Sequence, residues 1–595
     1  MRPEEIYRLN AEKNHLLSVN EKKSLFILSV LRLLIFIGGI CLTIVGFSFS
    51  AALGIALLLI SISLFLFLLN RYVFHSERNG LFTNLETISL DELKALSGDL
   101  SSFKDGHKWK SVDHDFSNDI DIFGSDSLFQ YLNRTVTGHG REKLALWLSE
   151  PYKISDDFKF RQKAIAELSE KINWRQEFMA NGIGKSLEKE DIEGLITWLT
   201  DKSGFISSPF LRLSIWVLPA VVLSSLLLLI TGLLPYQVFT VFFIINLFIV
   251  LIKIRDTGRI HNQVTKKHAF LSSLGRLLSS FEKESFESPF LADIKSGISS
   301  DVSSVVKSLK KLSRVIQSFD SRLNLFVGIV FNGLLMWDLH CIRSLEKWKE
   351  ESKNQFPEWL DKIGEIDALI SLANFGFNNP DYSFPDLSDR EIFSAKDLGH
   401  PLINPVMRVC NDFEIPERGK VVIITGANMS GKSTFLRTIA VNFILAMVGA
   451  PVCATELKFT PVKLFTSMRT TDSLSHNESY FYAELKRLKI LKIRLEERNN
   501  IFFILDEILK GTNSADKSIG SKRFMNKIIG LGGTGLIATH DTSLCELENE
   551  YPENIVNKCF ELEIDGENIF FDYKLCDGVT KKMNAALLMK QMGIA

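Results

Sequence analysis

This 595-residue chain has no charge imbalance to explain: 69 Lys+Arg stand against 70 Asp+Glu. No global basic field therefore advertises a nucleic-acid partner, and any such contact would need a local basic face. No two of the seven cysteines form a CxxC pair, and their number is odd. That suits reduced thiols in a cytosolic body better than a disulfide framework. Charge is also missing from two long segments. Ser24 to Leu69 carries only Arg32, close enough to one end to snorkel, and Leu213 to Ile252 carries no charged residue.

The first segment is about twice the roughly 20 residues that one spanning helix needs, with Gly46-Phe47-Ser48 as the expected turn. The second is divided by Gly232-Leu-Leu-Pro235. Two helical hairpins follow as the expectation, four transmembrane helices in all, which make the lipid bilayer a partner. The first segment is too long for a signal peptide, and no small-residue cleavage site ends a short apolar core. Lys22, Lys23, Arg71 and Arg78 bracket the first hairpin, and Arg212, Lys253, Arg255 and Arg259 the second, whereas neither tip has Lys or Arg. The positive-inside rule then puts both termini and the middle segment in the cytoplasm, and the chain in the cytoplasmic membrane as a multi-pass protein. A third apolar run, Leu323 to Leu339, is interrupted by Asn332 and Asp338 and reads as a buried helix of the soluble body.

Between and after the hairpins the texture is helical. Val302, Val305, Leu309, Leu312, Ile316, Phe319 and Leu323 recur at steps of three and four, with Lys307, Lys310, Lys311 and Arg314 on other faces. Those cations read as a solvated face or as a phosphate-binding one, and Arg322 joins them in the second reading. Near Pro380 a run of prolines and Gly399-His400-Pro401 marks a boundary, and β-rich runs follow. His107, Asp113, His114 and Asp115 look like a metal cluster but are explained by loop composition.

The chemistry is concentrated after that boundary. Gly426-Ala-Asn428-Met-Ser-Gly431-Lys432-Ser433 fits GxxxxGKS, between the strand-like Val421–Thr425 and the helical pattern that starts at Thr434. A strand–loop–helix of this kind wraps phosphates with backbone N–H groups at a helix N-terminus. Gly426, Asn428, Gly431, Lys432, Ser433 and Thr434 are the expected nucleotide-binding residues. Lys432 would reach the β- and γ-phosphates, and Ser433 would ligate Mg²⁺. Ile501–Leu505 ends in Asp506, placed to hold Mg²⁺, and Glu507, placed to polarise the attacking water. Ile537-Ala-Thr-His540 is a strand ending in a histidine, and Gly511-Thr512-Asn513-Ser514 follows the two acids. The cofactors implied are ATP and Mg²⁺.

Thr425 to Thr434, Leu505 to Ser514 and Ala538-Thr-His540 together resemble the ATPase of the MutS family, with Asn428-Met429 and Gly511-Thr512 as the discriminating features. The transporter signature LSGGQ is absent. Asp472 to Glu484 resembles the family's signature loop instead, and the resemblance makes Ser479 the serine that reaches a partner subunit's γ-phosphate, although Asn477 replaces the usual glycine. It also makes His540 the switch histidine beside the γ-phosphate. Asp119 to Gly140, Arg161 to Ile165, Glu365 to Ala373 and Asp577 to Ala585 are similar to the family's core (lever) and closing segments.

The expected fold class is multi-domain: transmembrane helical hairpins, an α-helical MutS core/lever domain and an α/β P-loop ABC-type ATPase domain. The expected boundaries are 1–23 for a cytoplasmic segment, 24–70 and 207–254 for the hairpins, 71–206 and 255–385 for the lever, and 386–595 for the ATPase. The resemblance implies a homodimer that closes two sites, an ATP-driven lever movement, and DNA as a partner with little mismatch specificity. No mismatch-reading domain or Phe-x-Glu wedge precedes the core. An ATP-driven regulator of a membrane or protein partner without DNA is the alternative, and a transporter is disfavoured.

Overall fold

In the computed structural model, residues 1–183, 189–200, 209–469, 480–497, 500–510, 513–565 and 568–580 are described. They divide into two compact units: Met1–Leu93, Thr135–Arg141 and Ile172–Asp367 form the first, and Lys94–Arg134, Glu142–Lys171 and Ala368–Ala595 the second.

The first unit is helical. Helix α1 spans Pro3–Phe49 and α2 spans Ala51–Leu96. Pro3 presets the first helical φ, and Glu4 and Glu5 sit at the positive end of the helix dipole. The hairpin breaks at Ser50, not at the expected Gly46-Phe47-Ser48. Ser50 N–H donates to Gly46 O at 3.0 Å and closes α1, while its Oγ accepts Leu53 N–H at 3.2 Å and opens α2. Gly46 serves close helix packing instead, since a Cβ there would lie 2.7 Å from Leu57 Cδ1. Beyond the apolar part the two helices stay paired through polar contacts, among them Glu21 with His75 (2.6 Å) and Arg78 (3.1 Å).

Helix α3 (Pro209–Ile230) and α4 (Tyr236–Ile252) follow, then α5 (Ile254–Lys283), α6 (Pro289–Asp320), α7 (Leu325–Leu335), α8 (Trp337–Ser352) and α9 (Phe356–Asn378). The expectation of four spans needs correcting. Among the described residues α1, α2 and Arg212–Ile230 are each long and apolar enough to cross a bilayer. Helix α4 is bent by 62° against the start of α5, and α7 by 76° against α8, so the number is three, or up to five if each bent pair is one span. The reason is length: α4 has 17 residues and α7 has 11, against about 20 for a straight crossing.

The third apolar run also departs from expectation. Helix α7 is not enclosed on all sides; it packs on α4 and α3. Asn246 Nδ2 of α4 donates to Gly333 O at 3.0 Å. Phe326 on the outer side is 82% exposed, with Ile329 and Val330 also exposed. Asn332 breaks no apolar surface, because its Oδ1 accepts Asp338 N–H at 2.9 Å.

The stripe on α6 is buried at Leu309, Leu312, Ile316 and Phe319. It packs on α5, which contributes Leu274, Leu277 and Phe281, and on α8, where Trp348 Nε1 donates to Ser308 Oγ at 2.7 Å. Leu323, assigned to the same stripe, is 74% exposed because α6 ends at Asp320. The side chains of Val302 and Val305 lie outside the described residues.

The second unit carries strands β1 (Asp386–Leu387), β2 (Phe393–Leu398), β3 (Asn411–Ile415), β4 (Val421–Gly426), β5 (Glu456–Phe459), β6 (Lys463–Ser467), β7 (Ile501–Asp506), β8 (Thr534–Thr539), β9 (Ile555–Phe560), β10 (Glu563–Asp565), β11 (Asn568–Phe570) and β12 (Leu575–Asp577). One sheet has the order β12-β9-β4-β8-β7-β6, parallel except for β12 on β9. Strands β4 and β8 are buried throughout, as expected of central parallel strands covered on both faces. Helices α10 (Lys432–Val448), α11 (Tyr480–Glu496) and α12 (Ser514–Gly530) complete the unit. Leu488 and Leu491 of α11 and Met525 and Ile528 of α12 share one core with Phe503 and Ile537.

Candidate functional site

The site lies past the carboxyl ends of β4, β7 and β8, where an open parallel sheet leaves a crevice. The loop Gly426–Gly431 joins β4 to α10. Gly426 has φ 157°, and a Cβ there would lie 2.7 Å from Ser430 Oγ and 3.0 Å from Phe560 O. Gly431, at φ 98°, is the N-cap of α10. Both positions require glycine, because a side chain would be strained or would collide. Helix α10 then points its unpaired N–H groups at the crevice, the arrangement that receives anions.

Lys432 is folded over this loop. Its Nζ donates to Gly426 O and Ala427 O, each at 2.8 Å, and burial lowers its pKa to about 8. Ser433 Oγ donates to Asp506 Oδ2 at 2.6 Å. Glu507 Oε1 lies 2.9 Å from His540 Nε2. That hydrogen bond is the main cause holding the Glu507 carboxyl down to about 2, against the opposing effect of burial. Glu507 is therefore an ionised carboxylate at neutral pH. Its backbone is set by a φ of 53° and by Glu507 N–H donating to Ala538 O at 2.8 Å.

A cavity of about 660 Å³ joins these groups. Asn428, Gly431, Lys432, Ser433 and Thr434 line it beside Asp506, Glu507 and His540. Gly426 lies at the base of the loop, under Ser430. Ser430 Oγ lines the same cavity and is buried without a hydrogen-bond partner. Ser479, Gly511 and Thr512 fall outside the described residues.

Sequence reasoning missed the other end of the cavity. Ile403, Met407, Val409, Phe560 and Tyr573 give it an apolar wall opposite the charged one. Tyr573 is held by Asn411, whose Nδ2 donates to Tyr573 O at 3.0 Å while its Oδ1 accepts Leu575 N–H at 2.8 Å. The only signal was a β-rich texture around Gly399-His400-Pro401, read as a boundary. Glu484, on α11 at the end of the signature-loop resemblance, accepts Leu509 N–H and Lys510 N–H and so fixes the turn after β7. Asp121 lies within the segment Asp119 to Gly140 that resembles the family's core. It binds Arg469 through both carboxylate oxygens (2.5 and 2.8 Å) and Arg437 of α10 at 3.1 Å, tying the loop's helix to the end of β6.

The cations of α6 and of the turn after it are placed differently from one another. Lys307, Lys310, Lys311 and Arg314 are exposed. Arg322 is not available to an external phosphate, because it is largely buried in an ion pair with Asp338 at 3.3 Å. His114 Nδ1 accepts the N–H groups of Phe116 and Ser117, and no group of three His, Cys, Asp or Glu able to hold a metal occurs among the described residues.

Comparison with known proteins agrees on one family. Residues 112–373 match the model of MutS domain III, and residues 422–592 match that of MutS domain V. The DNA mismatch repair protein MutS of Thermotoga maritima is 31% identical over 249 residues, which cover 41% of this chain and 31% of that protein. The protein of the same name from Fusobacterium nucleatum is 30% identical over 241 residues, covering 39% and 26%. MutS protein homolog 4 of Homo sapiens is 31% identical over 238 residues, covering 38% and 25%. The similarity thus spans about a third or less of each relative's length. With both matched domains in their expected order, the chain belongs to the MutS family.

Proposed function

We propose that this protein is a membrane-anchored ATPase of the MutS type, which binds ATP with Mg²⁺ in the crevice after β4 and couples its hydrolysis to movement of the helical lever. One observation carries the reading. The Ser433–Asp506 pair (2.6 Å) and the Glu507–His540 pair (2.9 Å) converge on the cavity that Lys432 and the Gly426–Gly431 loop also line.

The residues fit the groups they would hold. Ser433 Oγ and Asp506 Oδ2 are hard oxygens already side by side, the donor type Mg²⁺ takes. Mg²⁺ supplies neutralisation of phosphate charge. Lys432 exchanges two loop carbonyls for phosphate oxygens, the N–H groups of the loop and of α10 receive the rest, and the apolar wall takes the base. Glu507, ionised and held by His540, orients the attacking water and accepts its proton as the bond to the γ-phosphorus forms and the bond to the ADP oxygen breaks. In this arrangement His540 acts through Glu507. The family resemblance adds a second copy whose Ser479 closes the site, hence a homodimer.

Relatives carrying these domains are named mismatch repair proteins, so DNA is the partner proposed for the lever, through Lys307 and Lys310. These contacts meet phosphates and read no bases. The test uses purified, detergent-solubilised protein. Lys432→Ala is expected to lose ATP binding at least about tenfold, since a charge-assisted contact contributes about 1.5–3 kcal/mol. Turnover should respond to homoduplex and G·T heteroduplex DNA alike. ATP affinity unchanged in Lys432→Ala would refute the site. No DNA response at physiological salt, with protein partners captured instead, would favour the regulator without DNA.

The membrane reading rests on α1, α2 and α3, and on Lys and Arg at the hairpin bases with none at the tips. With the bent pair of α4 and the start of α5 as the return crossing after α3, and α7–α8 not crossing, it puts the chain in the cytoplasmic membrane with the lever and the site in the cytosol. Single cysteines in a cysteine-free background test it with an impermeant reagent on intact cells. Ser48→Cys and Leu234→Cys should label and Asp105→Cys should not. Labelling at position 105 would overturn the orientation.

A further inference from the structure

A second cavity, of about 460 Å³, opens where α6, α7 and α8 meet. Its lining includes Lys311, Arg314, Ser318, His340, Ser344 and Leu335, so one end is cationic and the other is the last turn of the apolar helix α7. Its position relative to the apolar helices is set by direct contacts. His340 Nε2 lies 3.1 Å from Ile215 O, and its ring meets Trp216 edge-on at 5.0 Å. Arg343 lies over the same Trp216 ring at 5.2 Å. Ile215 and Trp216 belong to the opening turns of α3, at its Arg212 end. The cavity therefore sits level with the start of a spanning helix, at the depth where tryptophan and arginine occur in membrane proteins.

From this level α7 runs along α4, tied by the Asn246–Gly333 hydrogen bond, and presents Phe326, Ile329 and Val330 outward. The ends of the excursion are fastened together by the buried Arg322–Asp338 ion pair. An apolar helix exposed beside spanning helices continues their lipid-facing surface. A cationic cavity at its foot then faces the headgroup layer. Glu351 lies 3.5 Å from Lys311 in a half-exposed pair, which holds that lysine only weakly, and the nearby Asp338 is engaged by Arg322.

We propose that this cavity binds the phosphate of an anionic glycerophospholipid, with Lys311 and Arg314 on the headgroup and the acyl chains along α7. The proposal rests on the membrane reading above. It distinguishes Lys311 and Arg314 from Lys307 and Lys310 of the same helix, which are exposed but do not line the cavity.

The test reconstitutes the full chain into phosphatidylcholine vesicles containing phosphatidylglycerol. Spin-labelled lipids of each kind then report which is motionally restricted by the protein. The wild type should prefer phosphatidylglycerol, and Lys311→Gln and Arg314→Gln should each lower that preference about fivefold. Lys311→Arg with Arg314→Lys should retain it, as should Lys307→Gln with Lys310→Gln. Soluble glycerol 3-phosphate should not displace the lipid; if it abolished the preference, the cavity would be a site for free phosphate esters. An unchanged preference in the Lys311→Gln/Arg314→Gln double variant would overturn the assignment. Failure to restrict even phosphatidylcholine would sink the membrane reading itself, an outcome separate from loss of headgroup preference alone.

Discussion

Glu507→Gln is expected to keep ATP bound and to slow hydrolysis by at least about a hundredfold, the usual range for loss of a positioned general base. The substitution is nearly isosteric, so the 2.9 Å contact with His540 can persist through the amide oxygen. What disappears is the negative charge proposed to orient water and take its proton. Lys432, Ser433 and Asp506 are untouched, so affinity should change little, whereas Lys432→Ala loses binding itself. The contrast separates a chemical defect from a binding one. In the wild type the carboxyl is held at about 2. Protonation of Glu507 should therefore not limit the rate anywhere in the mildly acidic range, and an acid limb there would report another group. Single-turnover hydrolysis with pre-bound ATP is the measurement. A wild-type rate in Glu507→Gln would remove Glu507 from the chemistry.

The second large effect concerns the lever. Asp367 of α9 is fully buried and accepts from Val136 N–H (3.1 Å), Thr137 N–H (2.8 Å) and Thr137 Oγ1 (2.6 Å). It fastens the chain leading into the helix Gly138–Ser149. Asp367→Ala strips three donors, two of them on the buried Thr137, of their acceptor and is expected to cost about 3–5 kcal/mol. Asp367→Asn, which keeps one acceptor oxygen, should cost clearly less. Burial raises the Asp367 carboxyl to about 6, above about 3.9 in an unfolded chain. Between those values the folded state holds more protons than the unfolded one. The stability this group contributes is then full below about pH 4 and is lost as pH rises through about 6. Denaturant titrations of the detergent-solubilised protein at stepped pH should show that slope, and Asp367→Asn should flatten it. A loss below about 1 kcal/mol in Asp367→Ala would mean that other groups or water satisfy the donors.

What the sequence by itself determined are features whose geometry is local. The Gly426–Ser433 spacing needs only a preceding strand and a following helix, and both follow from short apolar patterns, so the loop was legible before any tertiary information. Asp506 and Glu507 were legible for the same reason, as the end of a buried strand. The two long uncharged segments declared themselves by length alone, as did the Leu309–Phe319 stripe by its period.

Tertiary structure decided whatever depended on partners far apart in the chain. A seventeen-residue α4 and an eleven-residue α7 read as apolar helices, but only their packing on each other shows that α7 lies along α4 with its outer side exposed. Arg322 looks like another exposed cation until Asp338 is brought beside it. Ser50 rather than Gly46 makes the turn, because two helices pack closely only where a side chain is missing, and that required Gly46 inside the hairpin. Tyr573 and Asn411, 162 residues apart, meet only when β12 pairs with β9 and β9 with β4. A local pattern carries its own backbone geometry, whereas a distant pair acquires meaning only when burial brings its members together.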